Sequence, residues 1–179
     1  MPVVSGSSGR GVATSLAPLI GMQYIELESR RFPDGEGYVR VPSDAIDAIR
    51  SEPVVLVSNT YPDSGIVNTV LLLEAIADVR RGDLSNIKGE EPQSMEDVGS
   101  GVYLAIPYYG YSRQDKRFSK GEAVSARVIA EILGRGCDGI AILDLHEPAV
   151  LDAMDVPIEF VSSMPEIADL LQSEVSPDF

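Results

Sequence analysis

Apolar residues fall along this chain in two kinds of run. Short β-branched blocks alternate with longer segments in which apolar positions recur every three or four residues. That alternation predicts βαβ units, hence an α/β fold with a mostly parallel sheet flanked by helices. Residues 2–5 read as a first strand, 8–20 as a helix and 22–27 as a second strand ahead of the turn-rich stretch 30–37. Residues 54–58 form an apolar run suited to a strand covered on both faces. From Asp63 to about Arg80, the spacing of Ile66, Val70, Leu73 and Ala77 predicts a long helix. Residues 101–106 make the next strand, and a loop over 107–122 leads into a helix with Val124, Val128, Ile132 and Leu133 on one face. Gly134 and Gly136 end that helix. Further strands are expected at 139–143 and 156–161, and a short helix at 165–172.

Composition narrows the class. With 179 residues, 44% of them hydrophobic, the chain can bury a real core and is not disordered as a whole. A single cysteine, Cys137, rules out an internal disulfide and a cysteine-built zinc cluster, and points to a reducing, cytoplasmic setting. No run approaches the roughly 18 apolar residues of a membrane span, and the first residues lack a targeting pattern, so no membrane partner is expected. Twenty-eight Asp and Glu against 14 Lys and Arg give a net charge of −14, which disfavours nucleic acid. The surface is also lysine-poor, with Lys88, Lys116 and Lys120 alone, as would suit a salty cytoplasm. Residues 82–100, polar and acidic, read as a surface excursion too long for an ordinary connection.

Against that acidity, one segment runs the other way. Arg113, Lys116, Arg117, Lys120 and Arg127 face only Asp115 and Glu122 over residues 113–127. Either this is a solvated turn paired with neighbouring acids, or it grips one particular anion, for which phosphate is the obvious candidate. Its place after a buried strand and before a helix is where open α/β sheets hold ligands. Arginine offers a planar fork to phosphate oxygens, Gln114 both donor and acceptor, and Asp115 an acceptor that can orient an arginine. The sequence Asp144-Leu145-His146 holds the chain's one histidine, at the end of another buried strand. That imidazole serves either packing or a metal or phosphate contact. A histidine-rich zinc site is excluded, while magnesium, held through carboxylates, waters and substrate phosphates, stays open. A third cluster, Arg31-Phe32-Pro33-Asp34-Gly35-Glu36, reads either as plain turn chemistry or as an aromatic face and acids for a nucleobase. No nucleophile-elbow serine, Walker A loop or Gly-x-Gly-x-x-Gly motif is present.

Taken in order and spacing, these clusters resemble the ribose-phosphate pyrophosphokinases, also called phosphoribosyl pyrophosphate synthetases. Residues 106–117 resemble that family's signature loop, Asp144-Leu145-His146 its histidine-bearing strand end, and Phe32 to Glu36 its adenine-side loop. The resemblance implies a phosphoribosyltransferase-like fold and transfer of the diphosphoryl group of Mg-ATP to ribose 5-phosphate, giving phosphoribosyl pyrophosphate and AMP. It further implies that Phe32 stacks on adenine with Asp34, Gly35 and Glu36 around the base, and that Arg113 and Gln114 hold the nucleotide with Asp115 in support. His146 would meet Mg2+ or the transferred phosphates. In the family the adenine loop reaches a neighbouring subunit, so a homo-oligomer is expected. The likeness spans only the family's N-terminal part: residues 1–160 would be the ATP-binding domain, with 82–100 an insertion, and 161–179 the beginning of a second domain. The family's Lys- and Arg-bearing loop and its Thr-Gly-Gly-Thr sugar-phosphate loop have no counterpart here. The expectation is therefore an N-terminal fragment, inactive alone. The alternative is a noncatalytic, nucleotide-binding regulatory relative.

Overall fold

The computed structural model describes residues 1–84, 95–152 and 154–174. The chain builds a six-stranded, fully parallel sheet and a separate two-stranded antiparallel hairpin. The sheet strands are β1 (Val3–Ser5), β2 (Tyr24–Glu26), β5 (Val54–Val57), β6 (Val102–Ile106), β7 (Gly139–Leu143) and β8 (Ile158–Val161), in the spatial order β2-β1-β5-β6-β7-β8. The hairpin pairs β3 (Glu28–Arg31) with β4 (Gly37–Arg40), flanking and overlapping the stretch 30–37 whose sequence suggests turns. Five helices complete the fold: α1 (Arg10–Leu19), α2 (Ile46–Ser51), α3 (Asp63–Arg81), α4 (Ser125–Gly134) and α5 (Met164–Glu174). No described helix is long and apolar enough to cross a membrane.

Parallel register fixes where chemistry can sit. Val57 lies beside Ala105, and Ile106 beside Ile142, so the segments leaving β5, β6 and β7 emerge side by side at one edge of the sheet. Beneath that edge the core is apolar: Val54, Leu56, Leu104, Ile106, Ile140 and Ile142 from the strands, and Leu72, Leu73 and Ile76 from α3. A smaller cluster of Val3, Ala13, Ala17 and Val57 joins α1 to the sheet.

Helix α4 is rotated from the face its bulky residues suggest. It buries Ala126, Ala130 and Leu133 while leaving Val128 and Ile132 on the surface. Its entry fixes the rotation, since Ala126 N donates to Gln114 O (3.3 Å) and Ala126 O accepts from the Tyr109 hydroxyl (2.6 Å).

At the opposite edge of the sheet, Arg80 is a buried cation with four carbonyl partners. Its guanidinium donates to Ile49 O and Glu52 O (both 2.6 Å), Ser100 O (2.8 Å) and Gly99 O (3.2 Å). Nearby, Arg50 donates to Val79 O (2.5 Å) and to Glu96 O. Gly82 closes α3 in the left-handed region at φ 76°. A side chain there would also strike Met95 O, at 2.2 Å from an added Cβ. The two ends of the acidic excursion are thus tied to the body of the domain. Residues 85–94, its middle, lie outside the described residues.

Candidate functional site: two adjacent strand ends

The segment leaving β6 is held in place over much of its length. Asn59, just past β5, accepts from Tyr108 N at 3.0 Å through Oδ1 and donates to Ser8 O at 2.8 Å through Nδ2. One amide thereby ties together the loops after β1, β5 and β6. Thr60 Oγ1 accepts from Gly110 N (2.7 Å), and an added Cβ at Gly110 would lie 2.4 Å from Thr60 O, so no side chain fits there. Tyr111 adopts φ 65° and donates its hydroxyl to Asp63 Oδ1 (2.8 Å), which holds that phenol above its ordinary value. Burial likewise pushes the Tyr109 phenol up. Further along, the Glu122 carboxylate accepts from Phe118 N (2.7 Å) and Ser119 N (3.0 Å). Those backbone donors hold its carboxyl below the usual range.

This scaffold presents the charged residues to solvent at the sheet's carboxyl edge. Arg113 is exposed and makes no hydrogen bond or ion pair with another described residue. Gln114 is anchored through its backbone, its N–H donating to Tyr111 O and its carbonyl accepting from Ala126 N, and its side chain donates to Lys116 O (3.2 Å). The Asp115 side chain is only 6% exposed, and its Oδ2 lies 3.1 Å from His146 Nδ1. Its other oxygen, Oδ1, is buried without a partner among the described residues. His146 itself is 63% exposed. The histidine reaches this spot because Asp144 turns the chain at the end of β7, with φ 49°. There Asp144 accepts from Ser163 N (2.9 Å) and from the Ser163 hydroxyl, donors that hold its carboxyl below the usual range. Asp144 is thus committed to joining β8 to α5, which leaves the exposed His146 as the candidate ligand group of that strand end.

The Phe32 to Glu36 turn forms the tip of the β3–β4 hairpin. Phe32 N donates to Glu36 O and Gly35 N to Phe32 O, both at 2.9 Å, while Asp34 Oδ1 accepts from Glu36 N (3.0 Å). Arg30 places its guanidinium 4.9 Å from the Phe32 ring centroid and 4.1 Å from that of Tyr38, and the two rings meet edge to face at 5.7 Å. Beside the hairpin lies a cavity of about 680 Å³, lined by Gly35, Glu36, Ser8, Tyr61 and Asn68 among others. None of Arg113, Gln114, Asp115 or His146 lines it. Within one chain the structure therefore joins Asp115 to His146 and keeps the hairpin tip apart from both, with no hydrogen bond or ring contact between the two groups among the described residues.

Donor chemistry bears on a cation here. No cluster of three or more His, Cys, Asp or Glu able to hold a metal ion occurs among the described residues. One imidazole and one buried carboxylate with a spare oxygen instead fit a hydrated cation that arrives on a polyphosphate, the usual manner of magnesium. Nothing in the sequence pointed to Asn59 and Thr60, which shape the loop while carrying no motif of their own, and Glu122 stood out only as one of the segment's two acids.

Comparison with known proteins supplies an independent view. Residues 98–135 match the model of the N-terminal domain of ribose phosphate pyrophosphokinase. A ribose-phosphate pyrophosphokinase of Methanothermobacter thermautotrophicus is 33% identical over 170 residues, covering 93% of this chain and 52% of that protein. One from Halobacterium salinarum is 29% identical over 174 residues, covering 97% and 54%. The crystal structure of phosphoribosylpyrophosphate synthetase from Mycobacterium smegmatis superposes with a TM-score of 0.75 at 18% identity, over 96% of this chain and 51% of that one, a likeness of fold. The chain spans about half the length of the curated relatives it matches. The chain is similar to ribose-phosphate pyrophosphokinases over about half their length, and its residues 98–135 match the N-terminal domain of that family.

Proposed function

We propose that the chain is the ATP-binding part of a ribose-phosphate diphosphokinase. The complete activity moves the diphosphoryl group of Mg-ATP to ribose 5-phosphate, giving phosphoribosyl pyrophosphate and AMP. The observation that carries the reading is the meeting of Asp115 and His146 at 3.1 Å, where the cationic loop leaves β6 beside the end of β7. Arg113, exposed and without a protein partner among the described residues, forks onto phosphate oxygens, with Gln114 beside it. His146 offers a nitrogen to the cation or to the phosphates. Bound Mg2+ supplies charge neutralisation on the polyphosphate. Phe32, Asp34, Gly35 and Glu36 of a neighbouring copy complete the base side of the site, since the hairpin tip does not reach Arg113 or His146 of its own chain. A homo-oligomer follows. The exposed helix α5 belongs, on this reading, to the beginning of a second domain that carries the sugar-phosphate and catalytic loops.

Calorimetric titration with ATP and magnesium tests the nucleotide site. Substituting Arg113→Ala removes a charge-assisted contact and is expected to weaken binding by about 1.5 to 3 kcal/mol; unchanged affinity would overturn the assignment. The chain alone is expected to release no AMP from ATP and ribose 5-phosphate. Because it covers half of its relatives, a noncatalytic nucleotide-binding regulator is the second reading. The two part on adding the separately produced C-terminal half of a relative, when AMP appears in the first case only.

A further inference from the structure

We infer that Asp115 is a positioning residue for His146, fixing the imidazole with its proton on Nδ1 so that Nε2 presents its lone pair to the ligand. The inference rests on the nucleotide reading for what Nε2 meets, but not for the tautomer itself.

The two side chains differ sharply in environment: Asp115 is 6% exposed and His146 63%. The contact is between Asp115 Oδ2 and His146 Nδ1, at 3.1 Å. An ionised carboxylate only accepts, so the hydrogen bond requires an N–H at Nδ1, and a neutral ring then has its lone pair on Nε2. The carboxylate has little freedom to do otherwise. Its neighbour Gln114 is pinned by its backbone, which donates to Tyr111 O and accepts from Ala126 N, locking the loop to the first turn of α4. The imidazole, exposed and carried on a strand end, is the partner that needs orienting. A buried carboxylate behind a solvent-facing histidine is the arrangement by which proteins set the tautomer and raise the basicity of a histidine that meets a cation.

A second observation points the same way. Asp115 Oδ1 is buried without a donor among the described residues. An acceptor left so costs stability unless a ligand completes it.

The chain has one histidine, so labelling histidine with 15N gives each ring nitrogen a single, unambiguous signal. In the ligand-free full chain at alkaline pH, the long-range proton–nitrogen pattern is expected to show the proton on Nδ1. In D115A, which removes the acceptor, the proton is expected to move toward Nε2, the form an unconstrained histidine ring favours; in D115N the preference for Nδ1 is expected to weaken, since an amide oxygen is a poorer acceptor than a carboxylate. A wild-type ring protonated on Nε2 would overturn the inference without any variant. So would a pattern unchanged in D115A, with the amide spectrum confirming the fold. Manganese-ATP, used as a paramagnetic probe, is expected to broaden the His146 ring protons, with affinity about 10- to 100-fold weaker in D115N. If the wild-type chain shows no broadening, the nucleotide reading fails while the tautomer result stands. If the wild type binds and D115N binds equally well, the positioning role fails.

Discussion

Arg80 and Asp138 show how single residues at one edge of the sheet secure the fold. Arg80 is 4% exposed and bridges the end of α2, the residue after it and the strand-side end of the acidic excursion through four carbonyls. Arg80→Ala would leave those acceptors buried and unpaired; a loss of about 3 kcal/mol in unfolding free energy is expected, measurable by urea denaturation. Asp138 Oδ2 accepts from Gly101 N (2.6 Å) and Val102 N (2.8 Å), fixing the entry to β6. Burial alone would raise its carboxyl, but those two donors outweigh it and hold it below the usual range. A depressed folded value means that the contribution is present above the ordinary carboxylate value of about 4 and lost as pH falls through the folded one. Stability measured from pH 6 down to pH 3 is therefore expected to fall less steeply in Asp138→Asn than in the parent chain. Cys137 sits beside it as the lone thiol, and burial pushes it up to about 11, so it is expected to react slowly with alkylating reagents at neutral pH.

Among the elements, the loop over 107–122 was legible as a candidate site and illegible as a structure. Its cations stood out against an acidic chain, and its place after a buried strand marked it as a candidate for an anion. What the sequence could not display is that Glu122, Asn59, Thr60 and Tyr109 hold that loop by bonds to backbone atoms, which leave no periodic trace. Glu122→Ala is expected to leave the melting temperature nearly unchanged, because the residue is solvent-facing, and to weaken ATP binding about 3- to 10-fold by loosening the loop. Titration calorimetry beside a thermal melt separates the two effects. The rotation of α4 was illegible for the same reason: two apolar stripes share the helical period, and the bonds from Gln114 and Tyr109 to Ala126 select the one built on alanine. The hairpin escaped notice because Glu-Ser-Arg-Arg on β3 shows no apolar alternation. Asp115 was expected to support its neighbours Arg113 and Gln114; the structure pairs it with His146 instead.

For the molecule as a whole, the alternation of strand and helix sufficed to read a mostly parallel α/β sheet, since each block read as a strand or helix maps onto one element in chain order, while β3, β4 and α2 went unread. The spatial order of the strands was not readable that way, because it depends on which strand each crossover returns to. Net charge acts at this scale as well. With −14 spread over 179 residues, self-repulsion opposes compaction until counterions screen it. The melting temperature is expected to rise as sodium chloride is raised from about 10 mM, where the Debye length is near 30 Å, toward about 1 M, where it is near 3 Å. A flat response would show that the acidic surface has no bearing on stability.

Arg80 and Gly82 stand where α3 ends, at the edge of the sheet opposite Asp115 and His146. Any lengthening or shortening of the chain between Gly82 and Gly99 is therefore absorbed behind a fixed latch, a sheet's depth away from Asp115 and His146. A change in the size or charge of that outer segment is thus expected to leave the Asp115–His146 contact where it is.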